Sequence, residues 1–91
     1  MYVKDLKLGM LLTSTAEGIF SFFNNRLHHV WIPGLGEPLQ EPIVYLGKRS
    51  CVTKNKGRTI KRSLVREVMT TRGIKQIRGQ DFRYLQPLEF D

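Results

Sequence analysis

Ile60-Lys61-Arg62-Ser63-Leu64-Val65-Arg66-Glu67-Val68-Met69-Thr70-Thr71-Arg72-Gly73-Ile74-Lys75-Gln76-Ile77-Arg78 is the stretch that decides between a helical and a β-rich chain. Apolar residues at 60, 64, 65, 68 and 69 fit one face of a helix. Against this, Thr59, Ile60, Val65, Val68, Thr70 and Thr71 are β-branched, which lowers helix propensity and suits a pleated surface. Thr70-Thr71-Arg72-Gly73 then reads as a hairpin connection with glycine in the left-handed position. Ile74–Arg78 is the returning strand. The balance favours strand over 60–71, with helix as the alternative.

Downstream, Gly79-Gln80-Asp81 reads as a second tight connection. Phe82–Leu85 reads as a final strand that Pro87 stops. Upstream, Lys54-Asn55-Lys56-Gly57-Arg58 is a turn carrying three positive charges. Ile43–Leu46 reads as a strand running past Gly47 to Thr53. Pro33–Pro42 contains three prolines and two glycines and is a loop. His28–Ile32 is a short strand, and Ile19–Phe23 is an aromatic strand closing at Asn24-Asn25. Met10–Thr15 is the first strand, and Ala16-Glu17-Gly18 a turn. Asp5–Gly9 is a single turn with Asp5 as its cap and Gly9 free to take a positive φ. Short strands joined by glycine-rich turns predict one all-β domain over 1–91. The expected form is a small, strongly bent antiparallel barrel with at most a short N-terminal helical turn.

The 91 residues carry a net charge of +7, unevenly placed. Residues 1–47 hold Lys4, Lys7 and Arg26 against Asp5, Glu17, Glu37 and Glu41. Residues 48–83 hold twelve basic residues against Glu67 and Asp81 alone. A block of that sign and size favours a polyanionic partner. No apolar run approaches the ~20 residues of a membrane span, and the N-terminus lacks the apolar core of a signal peptide. With one cysteine, Cys51, no internal disulfide forms, and a reducing cytoplasm is the expected home. Cys51 reads as a small apolar filler.

Ile77-Arg78-Gly79-Gln80-Asp81-Phe82-Arg83-Tyr84-Leu85-Gln86-Pro87 resembles the second conserved motif of the Sm and LSm RNA-binding proteins: a strand ending in an apolar residue, then Arg-Gly, then a last strand. The likeness spans about eleven residues. It implies a divergent Sm-like (SH3-like) barrel, of a kind expected in phage or environmental bacteria. It also implies a homo-oligomeric ring closed by pairing Ile74–Arg78 with Phe82–Leu85 of a neighbour. By the resemblance, Arg78 contacts or supports a bound base, and Gly79 lets the nucleotide approach. The family's second RNA-binding loop falls on Lys54–Arg58, with Asn55 as the base-contacting amide. The family's Asp-x-aromatic-x-Asn pattern is absent there, so the contact is expected to be electrostatic rather than stacked. Ile19–Pro42 has no counterpart and reads as an insertion.

From the residues themselves, Arg78 also reads as a structural arginine pairing with Asp81 across the turn. Lys54, Lys56 and Arg58 are phosphate-contacting candidates. Adjacent His28 and His29 point to opposite strand faces and cannot chelate together, so no metal is expected. Phe20, Phe22, Phe23 and Trp31 read as packing or interface residues. No nucleophile-base set, carboxylate pair or phosphate-cradling loop stands out, so no enzyme, cofactor or small-molecule substrate is expected. The expected function is binding of RNA or single-stranded DNA by a ring with a basic rim. The alternative is a ring-forming adaptor, for example in phage assembly, that docks an acidic protein. On this reading Arg78→Ala weakens oligonucleotide binding more than Arg26→Ala.

Overall fold

The computed structural model describes residues 3–88, with the backbone alone at Val3, Cys51, Thr53 and residues 59–62. The filler role expected of Cys51 therefore lies outside the described residues. Seven strands form among them: β1 (Leu11–Ser14), β2 (Phe20–Phe23), β3 (Arg26–His29), β4 (Ile43–Asn55), β5 (Arg58–Thr70), β6 (Gly73–Ile77) and β7 (Leu85–Pro87). The β-branched stretch is strand throughout. Its hairpin to β6 is tied by the Thr70 hydroxyl, which donates to the Gly73 carbonyl at 2.8 Å and accepts the Arg72 N–H at 3.1 Å.

The strands make one strongly curled, half-barrel sheet in the order β2-β3-β6-β5-β4-β1-β7, the small bent all-β fold that the sequence predicts. Leu12, Phe20, Leu27, Ile43, Tyr45, Val68 and Ile77 fill the concave side, joined by Phe82 and Leu85 from the C-terminal segment. Alternation places them there: Ile43 and Tyr45 on β4, Leu27 and His29 on β3.

Three features depart from expectation. Gly79–Tyr84 is a 3-10 helix, and only Leu85–Pro87 is strand, so Phe82–Leu85 is not the final strand. The buried apolar pair Phe82 and Leu85 is three residues apart, which suits a 3-10 turn and not a pleat. Second, β3 starts at Arg26 and ends at His29, and it pairs with β6 in parallel (Arg26 with Gln76, Leu27 with Ile77), so the sheet is mixed. Third, β6 therefore carries β5 on one edge and β3 on the other, and the edge expected to join a neighbouring copy is paired within the chain. The strands at the two ends of the sheet order are β2, bridged at Phe20 by Glu37 of the Pro/Gly-rich loop, and the three-residue β7 ending at Pro87. Both are short and blunted. At the N-terminus the 3-10 turn covers Val3–Asp5, so Asp5 ends a turn instead of capping one over 5–9, and a separate turn ends at Gly9 with φ 80°.

The 3-10 helix crosses the open side of the half-barrel. The Thr15 N–H donates to the Tyr84 carbonyl at 2.9 Å, and the Phe82 ring meets Tyr45 edge-on at 5.7 Å. On the other flank β4 breaks register between Tyr45 and Gly47, a bulge that bends the strand as it leaves the core. Gly47 has φ 99°, and a Cβ there would lie 2.6 Å from Leu8 Cδ2. Gly47→Ala is expected to lower stability by about 1–2 kcal/mol, the cost of a left-handed non-glycine residue; urea denaturation measures it.

Candidate nucleic-acid interface

Beyond Lys48 and Arg66, toward the tip, β4 and β5 pair only with each other. β1 pairs with β4 only at Ile43 and Val44, and β6 pairs with β5 only from Arg66 to Thr70. Residues 48–65 thus form a free two-stranded arm of roughly 25 Å at the usual rise per residue. The molecule measures 50 × 30 × 22 Å, and its 14.2 Å radius of gyration exceeds the roughly 12 Å of a compact chain this long.

The arm closes at Lys56-Gly57, where both residues have positive φ (52° and 79°) between the paired Asn55 and Arg58. That is the two-residue turn whose twist matches a hairpin. Lys48, Arg49, Lys54, Lys56 and Arg58 are exposed. Arg49 meets Glu67 at 3.5 Å. From Lys48 to Arg66 the sequence has eight basic residues and no acidic one.

At the arm's root lies a cleft of about 230 Å³ lined by Arg26, Leu27, His28, Leu64, Val65, Arg66, Gln76, Ile77, Arg78 and Gly79. It opens where β6 ends. Beyond Ile77 the chain turns out at Arg78-Gly79, while β5 and β3 continue on either side without a strand between them.

Arg78 is held by Asp81. Its Nε donates to Oδ2 at 3.0 Å and its Nη2 to Oδ1 at 3.1 Å, a two-point fork. The Asp81 side chain is almost wholly buried, whereas half of Arg78 faces solvent. The His29 N–H also donates to Asp81 Oδ2, at 3.3 Å. The His29 ring stacks on Tyr84 at 3.4 Å, with Trp31 edge-on to both. The structural pairing that the sequence allowed for Arg78 is present.

The expected site residues fall into two places. Arg78 and Gly79 line the cleft, whereas Lys54, Asn55, Lys56 and Arg58 lie at the arm tip, eight residues along β5 from Arg66. At strand rise that separation is roughly 25 Å, so no single nucleotide touches both groups. The sequence reading missed Arg26, Arg66, His28 and Gln76. Because Arg26 lines the same cleft as Arg78, the contrast expected between their alanine variants loses its basis. The two histidines do face apart: His29 is buried against Phe20 and Tyr84, and His28 lines the cleft. Of the aromatics, Phe20 is core and Phe22 packs beside it under Arg72, whose guanidinium carbon lies 4.5 Å from the ring centroid. Phe23 and Trp31 are exposed.

A scan against protein-family models, a search of curated proteins and a search of solved structures each found no match to this chain. The Sm-like resemblance therefore rests on Ile77–Pro87 alone.

Asp81→Asn is expected to lower stability by roughly 1–3 kcal/mol, since it removes the charge from a buried acceptor. The solvent-facing half of Arg78 keeps the loss below that of a fully buried pair. Thermal unfolding of the variant beside Arg78→Met measures both sides of the contact.

Proposed function

We propose that this protein binds nucleic acid, RNA or DNA, by laying its cationic arm along the phosphate backbone of a duplex. The observation that carries this reading is the run from Lys48 to Arg66, eight basic residues without a carboxylate, on a ribbon that projects from the sheet. A solvated surface would mix signs, and this one does not. Two paired strands have the width that the ~12 Å major groove of B-form DNA admits.

Residues 46–81 contain no Phe, Tyr or Trp. Single-strand binders draw ~1–3 kcal/mol per base from stacking on such rings, and the arm has none to offer. Charge neutralisation is then the main source of affinity, with little reading of sequence. The ring of copies expected from the sequence is not needed for this reading.

Affinity for a duplex oligonucleotide is expected to fall steeply with salt and to exceed that for a single strand of equal length. Replacing Lys54, Lys56 and Arg58 together by Gln should reduce the slope of log K against log salt by about 2–3, near 0.9 per lost phosphate contact. Fluorescence anisotropy across a salt series measures this. Binding unaffected by salt would contradict the proposal. Failure to bind any oligonucleotide would contradict it too, and would point instead to an adaptor for an acidic protein.

A further inference from the structure

The cleft at the arm's root contains an unmet demand for negative charge. Arg66 shares a strand face with buried Val68 and is paired directly with buried Ile77 of β6. Its Nε is buried with no hydrogen-bond partner, and no other described side-chain nitrogen or oxygen is in that state. A buried charged donor left unsatisfied is costly, and native structures rarely retain one without an ordered water, an ion or a ligand. On its other flank Arg66 is paired with Lys48, and like charges directly opposite on a sheet repel. Of the three arginines lining the cleft, Arg78 is neutralised by Asp81. Arg26 and Arg66 have no carboxylate partner among the described residues.

Two guanidinium charges without counter-charge match a phosphate monoester, which carries about −1.5 to −2 at neutral pH, better than a phosphodiester carrying −1. Planar forks suit its oxygens. We infer that the cleft holds the terminal phosphate of a nucleic-acid strand, so that the arm lies along the duplex while its root seats the end. This inference rests on the nucleic-acid reading above and adds a ligand group to it.

The test compares identical hairpin duplexes ending in a 5′-phosphate, a 3′-phosphate or hydroxyls only, by anisotropy at fixed salt. One phosphorylated form is expected to bind at least tenfold more tightly than the hydroxyl form. Arg66→Met should bring that ratio close to one, as should Arg26→Met at its exposed position, where folding is not in question. The Gln variant of Lys54, Lys56 and Arg58 should weaken all forms alike and preserve the ratio. Oligonucleotides that bind without regard to their ends overturn the inference and leave the arm reading standing. Inorganic phosphate, at ionic strength matched with chloride, should raise the thermal midpoint of the wild type but not of Arg66→Met. That rise without binding of any oligonucleotide overturns both the strand-end assignment and the nucleic-acid reading. No rise and no end preference overturns the cleft as a phosphate site.

Discussion

Closure of this half-barrel depends on a single buried carboxylate. Asp81 accepts a main-chain N–H from β3 and both prongs of Arg78, and so fastens the C-terminal 3-10 helix to the strand beside it. Taking a carboxylate out of water is expensive, and it is tolerated here because charge-assisted donors surround it. Once Asp81 is seated, Phe82 drops into the core, Tyr84 stacks on His29, and β7 is delivered to β1. The same contact divides the cleft chemically. It silences Arg78 and leaves the remaining positive charge to Arg26 and Arg66.

Much of the fold was legible because local chemistry decided it. The β-branched run after Arg58 tips the balance from helix to strand, Gly73 and Lys56-Gly57 mark turns, and the structure uses all three. The C-terminal segment misled for an equally local reason. Phe82 and Tyr84 alternate like strand residues, but burial follows Phe82 and Leu85, a three-residue spacing set by the need to span the open side. The parallel union of β3 with β6 was out of reach, since its partners are fifty residues apart and nothing in either segment names the other.

The candidate site was half legible. Charge counting found the basic block, and the Arg-Gly at 78–79 marked one wall of the cleft. The length of the arm is a property of its neighbours: β1 and β6 are short, and no pattern inside β4 or β5 reveals that. By sequence Arg26 belongs to the half of the chain that carries the acidic excess. Topology carries it to the basic half. Arg66 did leave a trace, an arginine in register with inward-facing Val68 and Thr70, and a cation on the buried face of a strand is itself a sign of an anion to come.

The long-range union of β3 and β6 also governs how the chain is made. The aromatic β2–β3 hairpin leaves the ribosome well before residues 76 and 77, the strand it will lie against. At about 5–20 residues per second that interval lasts several seconds. During it Phe20, Phe22 and Leu27 lack the surface that later covers them, and Asp81, which locks the hairpin in place, is translated later still. This fold cannot close until residues 76 to 81 have emerged, and the β2–β3 segment is the part for which a chaperone has most to shield.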